Sequence, residues 1–116
     1  MAHHNKLGKD GELVALMFLQ KEGFSILKTN WYFQTAEVDI IAKDNNFLVF
    51  IEVKTRGNRK FGKPEDAIDK KKISLYKDAA EGYLAQYPTE AEIRFDVVSI
   101  IIEKDETQIE HIRNAF

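Results

Sequence analysis

Glu37-Val38-Asp39-Ile40-Ile41-Ala42-Lys43-Asp44-Asn45-Asn46-Phe47-Leu48-Val49-Phe50-Ile51-Glu52-Val53-Lys54 is the stretch whose reading decides the fold. Two runs rich in β-branched and aromatic residues flank Lys43-Asp44-Asn45-Asn46, a segment whose residues tolerate positive φ. With Asn45-Asn46 as the two-residue turn of a hairpin, Asp44 pairs with Phe47, Ile40 with Ile51, and Asp39 with Glu52, while Glu37 faces Lys54. Directly opposed residues project from the same face of a sheet. Asp39, Glu52 and Lys54 then point the same way. A one-residue slip would send one acid to the other face.

The rest of the chain extends this hairpin into an α/β domain. Leu13, Val14, Leu16, Met17 and Leu19 recur at helical spacing, so a helix is expected from about Lys9 to Glu22, with Gly23 as its stop. Phe24 to Tyr32 reads as a strand, and Gln34-Thr35-Ala36 as a turn. After a basic loop from Arg56 to Lys63, Pro64 suits the first turn of a second helix, with Glu65 and Asp66 complementing its dipole. That helix is expected to run to about Gln86, with Lys72, Leu75, Tyr76, Ala79 and Tyr83 on its inner side. Ile93 to Ile102 is a strand whose second half is apolar on both faces, which suits a covered position. The tail from Gln108 to Phe116 fits a helix or an edge strand equally well. The order α-β-β-β-α-β, with a mixed β-sheet flanked by helices, makes an α/β sandwich the natural architecture.

At 116 residues the chain is one domain's worth, since domains most often run to about 100–150 residues. We read residues 1–116 as a single domain, with 1–8 as a flexible end. The absence of cysteine excludes a disulfide scaffold, a thiolate zinc site and a cysteine nucleophile. No apolar run approaches the ~20 residues needed to cross a bilayer, and Met1-Ala2-His3-His4-Asn5-Lys6 lacks the apolar stretch of a signal peptide. A cytoplasmic address and no membrane partner are expected.

Net charge is −2, from 17 Lys+Arg against 19 Asp+Glu. That total gives no support to nucleic-acid binding, but the distribution does. Lys54, Arg56, Arg59, Lys60, Lys63, Lys70, Lys71, Lys72 and Lys77 fall in one stretch, opposed there only by Glu65, Asp66 and Asp69. This stretch reads as a phosphate-binding surface; the competing reading is a solvated face.

Three carboxylates sit at awkward positions. Glu12 shares a helix face with Ala15, Leu16 and Leu19, although an N-terminal acid favoured by the helix dipole is the simpler account of it. Asp39 interrupts an apolar strand, where aspartate is disfavoured; a buried acid satisfied by backbone or lysine is the alternative. Glu52 and Lys54 end a core strand, where they are costly unless paired, hydrogen-bonded or bound to a cation; an exposed strand end is the alternative. Two opposed carboxylates repel, and one takes a raised pKa unless a cation sits between them. Carboxylate oxygens with open water positions suit Mg²⁺ or Mn²⁺, and that chemistry permits phosphodiester hydrolysis without His, Cys or a serine triad. A nearby lysine then orients the attacking water or stabilises the charged transition state. His3, His4 and His111 are read as incidental or structural.

Asp39 followed by Glu52-Val53-Lys54 on the next strand resembles the PD-(D/E)XK signature of restriction-endonuclease-like nucleases. Glu12 on a preceding helix resembles the extra acid of archaeal Holliday-junction resolvases in that superfamily. Nearly the whole chain resembles the bacterial YraN-like family of predicted nucleases, through Gly11-Glu12, Asn30, Glu37-Val38-Asp39-Ile40-Ile41, Phe50-Ile51-Glu52-Val53-Lys54-Thr55-Arg56, Lys72 and Arg94-Phe95-Asp96-Val97-Val98. Val38 stands where the superfamily signature has proline, and Ala36 where the family usually has glycine. The resemblance implies a restriction-endonuclease-like core. It implies a metal held by Asp39, Glu52, the Val53 carbonyl and Glu12, with Lys54 assisting the water. It further implies Arg56, Arg59, Lys60, Lys63 and Lys72 as nucleic-acid contacts, DNA ahead of RNA as the substrate, and a homodimer as one assembly. A non-catalytic nucleic-acid-binding module that retains the site is the alternative function.

Overall fold

The computed structural model describes residues 6–57 and 68–116. Helix α1 (Lys6–Lys21) is followed by strands β1 (Ser25–Phe33), β2 (Ala36–Asp44) and β3 (Phe47–Arg56), helix α2 (Lys70–Gln86), and strands β4 (Glu92–Glu103) and β5 (Glu106–Ile112). The five strands form one sheet in the order β1-β2-β3-β4-β5. All neighbours are antiparallel except β3 and β4, which run parallel. A parallel pair needs a crossover between its strands, and α2 lies in that connection. The α/β mixed sheet expected from sequence is therefore present, and its core order is consistent with a restriction-endonuclease-like domain.

Each face of the sheet buries one helix. Ala15 and Leu19 of α1 pack with Phe24, Ile40, Ala42, Val49, Ile51, Val98 and Ile100. Tyr76, Ala79, Ala80 and Tyr83 of α2 pack on the other side with Ala36, Val38, Ile41, Leu48 and Phe50. The alternation of β3 is why both layers exist: odd and even positions are both apolar from Leu48 to Ile51, and all are buried. Two glycines set how closely the helices approach. A Cβ on Gly11 would collide with the Thr55 side chain of β3, and one on Gly82 would run into the Phe33 ring of β1.

Several boundaries differ from expectation. α1 starts at Lys6, so Lys6 to Gly8, expected in a flexible end, form its first turn. Its stop is as expected: Gly23 has φ 98°, and the N–H groups of Gly23 and Phe24 return to the carbonyls of Gln20 and Leu19. Leu13 and Met17, counted in the helical spacing, are exposed. α2 starts at Lys70, not at Pro64, and its cap is Asp69, whose carboxylate accepts from the Lys72 N–H at 2.8 Å. Pro64, Glu65 and Asp66 lie outside the described residues. The tail resolves as β5, an edge strand antiparallel to β4.

The α1 side of the sheet also carries a buried charge network. Asp96, fully buried on β4, accepts two hydrogen bonds from the Arg94 guanidinium at 2.9 Å each, one from the Asn114 N–H at 3.0 Å, and pairs with His111 Nε2 at 2.7 Å. Arg94 also reaches Asp44 at 3.0 Å, and Arg113 reaches the same carboxylate at 2.8 Å. His111 is thus structural: it stitches β5 to β4.

Candidate active site

The hairpin register is the expected one from Asp44–Phe47 through Ile40–Ile51, and there the β2–β3 ladder ends. Asn45, with φ 55°, makes the turn. The next pair, Asp39 with Glu52, is not laddered. On the other side of β2, the β1 register runs Thr29–Ile40 and then Trp31–Val38, leaving out Asn30 and Asp39. Asn30 has φ 47°, the left-handed region that asparagine tolerates best among side-chain-bearing residues. The side-chain alternation breaks at the same place, because Val38 and Ile41 both pack against the α2 layer while Ile40 packs against α1. β2 therefore parts from β3 at Asp39. The parting is filled by side chains: the Val53 N–H donates to Asp39 Oδ2 at 2.8 Å, and the Asp39 N–H reaches the Tyr76 hydroxyl at 3.4 Å. An aspartate that takes a strand N–H for its own carboxylate competes with the ladder.

Glu52 is buried at this end of β3. Tyr76 donates its hydroxyl to Glu52 Oε1 at 2.7 Å. Lys72 Nζ lies 3.3 Å from Glu52 Oε2. Positions i and i+4 of a helix share a face, so one turn of α2 delivers both groups. The Asp69 cap fixes where that turn begins. Glu12 and Glu37 converge on Asn30, whose Nδ2 donates to Glu12 Oε1 at 3.3 Å and to Glu37 Oε2 at 3.2 Å. The close approach of α1 at Gly11 and Thr55 brings Glu12 to this end of the sheet.

The electrostatics follow from this crowding. Burial, then the neighbouring Glu52 charge, push the Asp39 carboxyl up to about 8. The Val53 hydrogen bond opposes that rise, while Glu12 and Glu37 add to it. Burial and the same two carboxylates, Glu52 and Asp39, hold the Tyr76 phenol well above its ordinary value, so it stays a donor. Asp39 and Glu52 thus fit a divalent cation by their charge: they are adjacent oxygen donors whose mutual repulsion a cation would relieve.

The expected site residues do not all gather. Asp39 and Glu52 lie together, as do Lys72 and Glu52. Glu12 is close enough to raise the pKa of Asp39, yet its side chain is tethered to Asn30. Among the described residues, no group of three or more His, Asp or Glu side chains is placed to hold a metal ion. Lys54 is exposed on the same strand face as Glu52. Glu37, expected opposite Lys54, lies beyond the end of the β2–β3 ladder; on its other side it pairs with Tyr32 of β1. Val53 contributes its N–H to Asp39. Arg56, expected to be presented to nucleic acid, is buried at 8% exposure. Arg59, Lys60 and Lys63 lie outside the described residues. Tyr76 and the linking roles of Asn30 and Glu37 were not anticipated. The available signals were an asparagine within a strand run and a tyrosine one helical turn beyond Lys72.

The profile of the uncharacterised protein family UPF0102 matches residues 11–100. The chain belongs to this family. Its UPF0102 relatives are similar from end to end. A UPF0102 protein of Flavobacterium psychrophilum is 49% identical over 116 residues, covering 100% of this chain and 98% of the relative. One from Christiangramia forsetii is 45% identical with the same coverage. One from Thermodesulfovibrio yellowstonii is 44% identical over 111 residues, 96% of each chain. The segment matched by the UPF0102 profile contains every residue of the Asp39–Glu52 cluster, from Glu12 to Tyr76.

Proposed function

We propose that this UPF0102 protein is a metal-dependent endonuclease that hydrolyses phosphodiester bonds in DNA at Asp39 and Glu52. The observation that supports this reading is the parting of β2 from β3, which leaves Asp39 and Glu52, each within its strand, without pairing between those two strands. A bound Mg²⁺ or Mn²⁺ would supply charge neutralisation and acidify the attacking water. Asp39 and Glu52 would hold it, and the Val53 carbonyl and Glu12 would be further donors, Glu12 in exchange for its bond to Asn30. Lys54, exposed beside Glu52, orients the attacking water or stabilises the charge that develops on the phosphate. Lys72 supplies positive charge from the α2 side, and Arg59, Lys60 and Lys63 contact the backbone. Water adds to phosphorus, the bond to the leaving sugar oxygen breaks, and the proton balance is made with solvent.

The test is a cleavage screen over supercoiled, nicked and junction DNA and RNA, with Mg²⁺ or Mn²⁺. Cleavage is expected to need the metal and to disappear in Asp39→Ala and Glu52→Ala. Activity that persists in both purified variants overturns the assignment. One observation favours a second reading, a binding module that does not cut: both Glu52 oxygens are already engaged, by Tyr76 and Lys72. That reading predicts salt-sensitive DNA binding, because phosphate contacts release counterions, and no turnover with any metal.

A further inference from the structure

We propose that Tyr76 is a positioning residue for the Asp39–Glu52 pair, its hydroxyl fixing the Glu52 carboxylate where it faces Asp39 across the parted strands. The inference rests on the metal-site reading above and assigns a role to a residue that reading leaves out.

Tyr76 is 1% exposed and is the largest of the fully buried side chains among the described residues. Its ring is held on the α2 side by the Ala36, Val38, Ile41 and Phe50 layer and by an edge contact with Phe116, centroids 5.7 Å apart. A ring so enclosed has little freedom, so its hydroxyl is a fixed point. Three groups surround that oxygen: Glu52 Oε1 at 2.7 Å, the Ile51 carbonyl at 3.4 Å and the Asp39 N–H at 3.4 Å. A phenol has one proton to give. The short, charge-assisted contact takes it, so the directional bond runs to the glutamate side chain and not to the backbone carbonyl. The same oxygen meets the Asp39 backbone. One atom is thus tied to the strand that carries each carboxylate. Lys72 grips the other Glu52 oxygen, but its side chain is more exposed and turns about more bonds. Of the two α2 contacts, the tyrosine is the rigid one. Packing alone does not call for the hydroxyl, since Phe50 and Phe95 fill the same layer without one. Groups that orient metal ligands without touching the metal commonly matter at the level of 10–100-fold in affinity or activity.

Tyr76→Phe tests the assignment, because the ring still fills its space. Mn²⁺ affinity of the folded protein is measured by calorimetry, the metal-free Tm by circular dichroism, and kcat and KM on the best DNA substrate. The expected result is a Mn²⁺ Kd weakened about 10–100-fold, with kcat reduced and KM for DNA unchanged. In a Glu52→Gln background, Tyr76→Phe is expected to weaken residual Mn²⁺ binding no further. A lowered metal-free Tm with Mn²⁺ Kd and kcat within twofold of the parent assigns Tyr76 to packing alone and overturns the proposal, as does an additive loss in the Glu52→Gln background. A parent protein that binds no Mn²⁺ overturns the metal-site reading and this inference together. A parent that binds Mn²⁺ equally well with and without the hydroxyl overturns only the role of Tyr76.

Discussion

Asp39 keeps a proton in the folded, metal-free protein that it gives up on unfolding, because burial and Glu52 disfavour its charge. Its pKa of about 8 in the fold lies above the roughly 3.9 of an unfolded aspartate. A group with a raised folded-state pKa stabilises fully below the unfolded value, and that contribution is lost as pH rises through the folded one. Urea unfolding without metal should therefore show stability declining between about pH 4 and pH 8 on this account. Asp39→Asn keeps an acceptor for the Val53 N–H and should flatten that slope. Mn²⁺ competes with the proton, so the rise in Tm that it produces should grow across the same window and vanish in Asp39→Asn. The acid itself was legible in the sequence, because an aspartate among Val38, Ile40 and Ile41 has no packing reason to be there. Its contact with Val53 was not. A carboxylate replacing a ladder bond leaves no periodic trace, and it ended the pairing one step before the expected Asp39–Glu52 pair.

At the scale of elements, Gly11 decides how α1 lies on β3. An alanine in a helix gains about 1 kcal/mol over glycine, but here its Cβ would meet Thr55, and overpacking costs about 1–3 kcal/mol. Gly11→Ala is expected to lose up to about 2 kcal/mol net in urea unfolding and to weaken Mn²⁺ binding by shifting Glu12. Adding Thr55→Ala should restore part of both. The hairpin was readable because Asn45-Asn46 and two apolar runs agree on one register. α1 was readable from its spacing and Gly23. The tail was not, since Ile109, Ile112 and Phe116 satisfy either period; hydrogen bonding to β4 makes it a strand. α2 begins later than Pro64 suggested because Asp69 offers the side-chain cap.

Over the whole molecule, the sheet is polar at two separate places. The Asp39 end lies against Tyr76 of α2, while Asp96 closes the α1 side by joining β4, β5 and the chain beyond them. Burial alone would raise the Asp96 carboxyl, but hydrogen bonds from His111, Arg94 and the Asn114 N–H outweigh it and hold the group below its usual range. That contribution is present above about pH 4 and lost as pH falls through the lowered value, so acid unfolding should start from this network. Asp96→Ala leaves Arg94 buried with Asp44 as its remaining carboxylate partner among the described residues and is expected to cost about 3–5 kcal/mol in denaturant unfolding. Asp44→Asn, whose other partner Arg113 is half exposed, should cost less. The parallel join of β3 to β4, in which Phe47 meets Glu92, also has a consequence in time. β1, β2 and β3 are consecutive hairpin partners, whereas β4 must wait for a long crossover to close, and distant closures are slow. In pulsed hydrogen exchange during refolding, amides of β1 to β3 should gain protection before those of β4. The nascent meander would then display Asp39 and Glu52 to solvent for a moment, before α2 arrives to cover them.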